Sequence, residues 1–192
     1  MFAPNYHSAM RFVGPTRKKI RKRTIFNMIG PLSSPALVKR QVVGVFDKKL
    51  LKIFANALND LDIKFAWIVN SEDGLDEISP YAKTIVKQLK NGEINEIIID
   101  PKELNINVEG FDKIVGNNAK FNSQRIIDIF KGTDDDFSKS VSLNAAAGLI
   151  ISEREDKFKY AYEKARDHLL SGKTYSHLEK LRNVWEYIRK NN

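Results

Sequence analysis

The spacing of apolar residues changes period several times along this chain, and each change marks a new element. Gln41-Val42-Val43-Gly44-Val45-Phe46 is a short apolar run rich in β-branched residues, as expected of a buried strand. From about 48 to 61 the apolar positions Leu50, Leu51, Phe54, Ala55, Leu58 and Leu61 recur every three or four residues. That spacing predicts a helix, with Asp47 as its N-cap. Phe65-Ala66-Trp67-Ile68-Val69-Asn70 is a second apolar run. Strand, helix and strand in so short a stretch predict a parallel βαβ unit.

On either side the pattern is less regular. Residues 7–28 read as one or two short helices that end at Gly30-Pro31, and Gly30-Pro31-Leu32-Ser33-Ser34-Pro35 reads as a turn or hinge. Between 79 and 100 two signals compete. Ser79-Pro80 could open a helix over 81–90. Against this, Asn91-Gly92 is a turn signal flanked by Thr84-Ile85-Val86 and Ile97-Ile98-Ile99, which favours a hairpin. Helical spacing returns over 123–130, 140–153 and 156–170, the last closed by Gly172, and a charged stretch runs on to Asn192.

Composition narrows the class. The 192 residues are 42% hydrophobic and 29% charged, enough for one sizeable core and unlike a disordered chain. Without cysteine, neither a disulfide framework nor a thiolate metal site is available. No apolar run approaches the ~20 residues that span a bilayer, and no signal peptide opens the chain; a cytoplasmic protein is expected. The net charge of +8 is local: Arg11, Arg17, Lys18, Lys19, Arg21, Lys22, Arg23, Lys39 and Arg40 precede the first acid, Asp47. An anionic partner near this segment is implied, whether nucleic acid, phosphorylated metabolite or carboxylate.

Two places could carry chemistry. Ser71-Glu72-Asp73-Gly74-Leu75-Asp76-Glu77 follows the second strand directly and holds four carboxylates. Open α/β sheets place ligands at the carboxyl ends of their strands. Adjacent Asp76 and Glu77 repel unless a cation sits beside them. Mg²⁺ fits, since it takes one or two carboxylates and completes its shell with water and phosphate oxygens; a solvated acidic loop is the commoner explanation of such a cluster. The other place is His7 to Asn27, where Arg17 and Arg23 are of the type that grips a carboxylate or phosphate bidentately. The same basic stretch, 11–23, interleaved with Phe12 and Phe26, would also suit a nucleic-acid surface. Asp134-Asp135-Asp136 and Asn144-Ala145-Ala146-Ala147-Gly148 read as structural: a charge cluster at a helix start, and small residues for close packing.

Taken together, His7-x-Ala9-Met10, Arg17, Arg23-Thr24-Ile25-Phe26-Asn27, Gly30-Pro31-Leu32-x-x-Pro35-Ala36, Asp73-Gly74-Leu75-Asp76-Glu77 and Leu143-Asn144-Ala145-Ala146-Ala147 resemble the anthranilate phosphoribosyltransferases of tryptophan biosynthesis. The likeness runs from the first residues to about Gly172. It implies an α/β fold of the nucleoside phosphorylase and phosphoribosyltransferase type: a mainly parallel sheet flanked by helices, formed by 36–192. Residues 1–35 would be a remnant of the small helical domain and the hinge. It implies that anthranilate attacks C1 of phosphoribosyl pyrophosphate (PRPP), with Mg²⁺ held by Asp76 and Glu77. Arg17 would pair with the anthranilate carboxylate, and His7, Gly30 and Pro31 would line the same pocket. No nucleophilic side chain is required.

The likeness has departures. Ser8 stands where a proline is usual, Ser33-Ser34 where Thr-Asn is usual, and Pro80-Tyr81-Ala82-Lys83 replaces a stretch that usually contains Gly-Pro. The family's glycine-rich Gly-Thr-Gly-Gly-Asp loop, which cradles pyrophosphate, is not among the 192 residues. The resemblance therefore implies a C-terminal part, with impaired or no activity alone. Family homodimers are implied too, through helices largely missing from this chain. A nucleic-acid-binding relative using 11–23 is the competing expectation, weakened by the retained Asp76-Glu77 pair.

Overall fold

The computed structural model describes residues 10–20, 22 and 24–191, with the backbone alone for Met10, Arg11, Arg17, Lys18, Phe26, Asn27 and Asn191. The chain opens with α1 (Met10–Ile20) and α2 (Phe26–Ile29), followed by a single 3-10 turn, Gly30–Leu32. The predicted βαβ unit then forms as β1 (Arg40–Gly44), α3 (Leu50–Asp60) and β2 (Phe65–Ser71). β1 and β2 pair in parallel, from Arg40 opposite Phe65 to Gly44 opposite Val69. Asp47 steadies the start of α3 from outside the cap position, which Lys49 occupies. Its carboxylate accepts the Lys49 N–H at 2.9 Å and its carbonyl the Leu50 N–H at 2.9 Å.

The hairpin signal prevails over the helix signal. β2 pairs antiparallel with β3 (Thr84–Lys90), and β3 with β4 (Glu93–Ile99), giving the order β1-β2-β3-β4. The sheet among the described residues is thus mixed rather than mainly parallel. Two local causes decide this. Asn91 and Gly92 both take left-handed backbone, with φ of 51° and 89°, as a two-residue hairpin turn demands. A parallel return from β2 would need a crossover of a dozen or more residues, usually a helix, whereas 72–83 is an irregular loop that doubles back beside the strand.

Four helices complete the chain: α4 (Ala119–Phe130), α5 (Asp136–Ile151), α6 (Phe158–Leu170) and α7 (Lys173–Asn191). Asn118 caps α4, and Asp135 with Ser138 forms a capping box that starts α5 before the periodicity suggested. Every residue of β2 is buried, and its side chains alternate between two cores. Phe65, Trp67 and Val69 join Leu143, Ala146, Ala147 and Ile150 of α5 and Ala161 and Tyr162 of α6. Ala66 and Ile68 join Leu51, Phe54, Ala55 and Leu58 of α3. Helices on both faces of the sheet give the expected α/β architecture. Among the described residues no helix is long and apolar enough to cross a membrane.

Candidate functional site

The acidic loop leaves the carboxyl end of β2 and is pinned at its base by buried hydroxyls. Ser71 Oγ lies 2.6 Å from Thr84 Oγ1 and donates to the Glu77 carbonyl at 2.6 Å. The Ser79 N–H reaches Thr84 Oγ1 at 3.1 Å. Ser71, Ser79 and Thr84 are all buried, so these polar groups satisfy one another where water does not reach. Gly74, at φ 91°, turns the chain, and its N–H returns to the Ser71 carbonyl at 2.9 Å.

This geometry sorts the four carboxylates. Asp73 belongs to the loop itself: it accepts the Leu75 N–H at 3.2 Å and the Ser79 hydroxyl at 2.5 Å. Asp76 and Glu77 instead line a pocket of about 520 Å³, walled by Val42 and Gly44 of β1, Ile126 and Phe130 of α4, and Phe137 and Asn144 of α5. Both remain solvent-exposed. Partial burial against this wall raises the pKa of Glu77, and the adjacent Asp76 charge raises it further. An apolar pocket with convergent polar groups at its mouth is the usual form of a small-molecule site.

Two contacts fix the path of the pair. Gly44 packs against the loop so closely that a Cβ there would lie 1.7 Å from the Asp76 carbonyl oxygen. From the other side, Asn144 accepts the Ile78 N–H at 2.9 Å and donates to the Ile78 carbonyl at 3.1 Å. The far end of the loop is tied down by Tyr81, whose hydroxyl donates to the Gly110 carbonyl at 2.7 Å and to Asp136 at 3.1 Å. The unusual stretch at 80–83 thus has its own anchor. Sequence reasoning did not single out Gly44, and it took Asn144 for packing. An isolated glycine in a β-branched run and an asparagine inside a helix were the available signals.

The other expected site residues are placed differently. His7 lies outside the described residues, and Arg17 is described by its backbone alone, in α1. Gly30 and Pro31 form the 3-10 turn after α2. Pro31 lines a smaller pocket of about 110 Å³ with Leu32, Leu37, Lys39, Gln41 and Ile63, around the amino ends of β1 and β2. That pocket and the Asp76–Glu77 pocket share no residue. Much of the basic stretch 11–23 also falls outside the described side chains.

The donor set suits magnesium. Two adjacent carboxylates supply what Mg²⁺ takes from a protein, leaving room for water and phosphate oxygens. Among the described residues no group of three or more His, Asp or Glu could enclose a metal unaided, so the fit is to an open, substrate-completed site.

Comparison with known proteins decides the family. Residues 1–175 match the glycosyl transferase family, a/b domain. The chain belongs to that family. Among curated relatives, this glycosyl transferase domain is 73% identical over 184 residues to an anthranilate phosphoribosyltransferase of Pelagibacter ubique, covering 96% of this chain and 56% of that one. It is 39% identical over 183 residues to the enzyme of the same name from Clostridium kluyveri, with 95% and 55% covered. Among solved structures, the anthranilate phosphoribosyltransferase of Thermus thermophilus superposes with a TM-score of 0.80 at 29% identity, over 91% of this chain and 51% of that one. The Saccharomyces cerevisiae enzyme in complex with PRPP and Mg gives 0.79 at 25%, over 90% and 50%. The glycosyl transferase domain spans about half the length of the curated relatives it matches.

Proposed function

We propose that this chain is the part of an anthranilate phosphoribosyltransferase that carries the metal-binding carboxylates, and that it serves tryptophan biosynthesis in the cytoplasm. The single observation behind this is the sorting of the acidic loop: Asp73 is spent on the loop's own hydrogen bonds, while Asp76 and Glu77 face a pocket at the strand ends. The relatives at 73% and 39% identity bear the name of that enzyme, and the similar yeast structure was solved with PRPP and Mg.

In the reaction, the lone pair of the anthranilate amine forms a bond to C1 of the ribose. The C1–O bond to pyrophosphate breaks, the leaving oxygen keeps the electron pair, and the amine proton passes to solvent. Asp76 and Glu77 would hold Mg²⁺, and the ion would supply positive charge against the departing diphosphate. The apolar wall of Phe130, Phe137 and Ile126 borders the pair on one side, while their exposed side leaves room for water and phosphate oxygens. An aromatic amine is nucleophilic while neutral, so positioning replaces a protein nucleophile.

Arg17 pairs with the anthranilate carboxylate, and His7, Gly30 and Pro31 complete that pocket. Residues 1–35 are a remnant of the small helical domain with the hinge, and 36–192 are the C-terminal portion of the α/β domain. The hinge at 30–35 has to bring Gly30 and Pro31 toward the acidic loop.

Two titrations on the 192-residue chain test the assignment: Mn²⁺ followed by electron paramagnetic resonance, and anthranilate followed by its fluorescence. Asp76→Ala should abolish Mn²⁺ binding. Arg17→Ala should weaken anthranilate by roughly tenfold or more, the worth of a charged bidentate contact, and leave Mn²⁺ binding intact. If Arg17→Ala weakened both ligands equally, the division of roles would be wrong.

A further inference from the structure

The side chain of Asn144 engages both backbone polar groups of one loop residue, Ile78, across 66 positions of sequence. Its Nδ2 also donates to the Ser140 carbonyl at 3.0 Å, which fixes the rotation of the amide on α5. Ile78 directly follows Glu77 and is fully buried, outside any strand, so no ladder is available to its N–H and carbonyl. A side-chain amide carries its acceptor and its donor on neighbouring atoms, which suits the two groups of a single residue. On the opposite side the Gly44 backbone lies against the Asp76 carbonyl. The stretch Asp76-Glu77-Ile78 is therefore gripped between a strand and a helix, and Asn144 lines the same pocket as the two carboxylates.

From this juxtaposition we propose that Asn144 is a positioning residue: by holding Ile78 it sets the spacing of the Asp76 and Glu77 carboxylates, and divalent-cation binding depends on it. This rests on the assignment of Asp76 and Glu77 as the metal ligands. Groups that orient metal ligands without touching the metal commonly govern affinity, by roughly 10- to 100-fold. An asparagine in mid-helix is unfavourable for helix formation, since its side chain competes for backbone bonds; here that tendency is turned outward, onto the loop.

The test is Mn²⁺ titration of the 192-residue chain by electron paramagnetic resonance, with thermal melting of the same samples. Asn144→Ala should lose roughly tenfold or more in Mn²⁺ affinity. Asn144→Asp keeps the acceptor for the Ile78 N–H but sets a carboxylate against the Ile78 carbonyl, and its affinity should also fall although a negative charge has been added nearby. Ile150→Val, which trims the core face of the same helix, should lower the melting temperature and leave Mn²⁺ affinity unchanged. Amide hydrogen exchange at Ile78 should accelerate in Asn144→Ala and stay slower in Asn144→Asp. Unchanged affinity in both Asn144 variants while Asp76→Ala abolishes binding, or tighter binding in Asn144→Asp, would overturn the proposal alone. Unchanged affinity in Asp76→Ala would overturn the metal assignment itself, and the proposal with it.

Discussion

At Gly44 a single missing methyl group decides the course of the loop that carries Asp76 and Glu77. A side chain there would place its Cβ 1.7 Å from the Asp76 carbonyl oxygen, and since that neighbour is backbone, the loop must move. Gly44→Ala is therefore expected to cut Mn²⁺ affinity by at least the roughly tenfold set for orienting groups, measured by the same resonance titration; an unaltered affinity would show that the loop tolerates the shift. The acids were legible in the sequence, because four carboxylates directly after a buried strand are conspicuous. Which of them reach the pocket was not. That division depends on Ser79 capturing Asp73 and on Asn144 and Gly44 holding the stretch after it, contacts between residues far apart in the chain.

The elements owe their positions to a few polar staples as much as to periodicity. Asp136, buried at the first turn of α5, accepts the N–H groups of Glu109 at 2.6 Å and Gly110 at 3.2 Å, with Lys139 at 3.1 Å and Tyr81 also bonded to it. Burial alone would raise its pKa, but the two backbone N–H bonds, Lys139 and Tyr81 outweigh burial and hold the carboxyl below the ordinary aspartate value. Burial, and after it the same contact with Asp136, pushes the Tyr81 phenol up. Because the folded value of Asp136 is depressed, its contribution to stability is present above the unfolded value and is lost as pH falls through the folded one. Asp136→Asn should thus be destabilising by about 1–3 kcal/mol at pH 7. The gap from the parent should shrink in urea titrations repeated near pH 3, and a gap that stayed constant would contradict the shift. The β1–α3–β2 unit, the hairpin and the C-terminal helices were all readable, because apolar spacing follows burial directly. Helix starts were not: α5 begins at a capping box of Asp135 and Ser138, polar residues that hydrophobic periodicity passes over. The proportion of parallel pairing was also missed, since it turned on 72–83 forming a loop rather than a crossover helix.

On the scale of the whole molecule, the described residues build helices onto both faces of one sheet. α3 covers one face of the sheet and α5 with α6 the other, yet the matched relatives are nearly twice as long. The separation of the Pro31 pocket from the acidic pocket belongs to the same scale. Neither composition nor spacing could disclose it, because it depends on where the hinge sets the opening helices against the sheet.

The tight turn at Asn91-Gly92 lies at the far end of the β2–β3 ladder from the acidic loop, seven paired residues away, about 20 Å at roughly 3.3 Å per residue. It is exposed, and the chain has no native thiol to compete with a newly introduced one. Glu93→Cys would accept a nitroxide at a single place, so bound Mn²⁺ could be ranged against it. A spin–spin distance near 20 Å would put the ion at the acidic-loop end of the strands, and one below about 10 Å would put it at the opposite end, beside the turn.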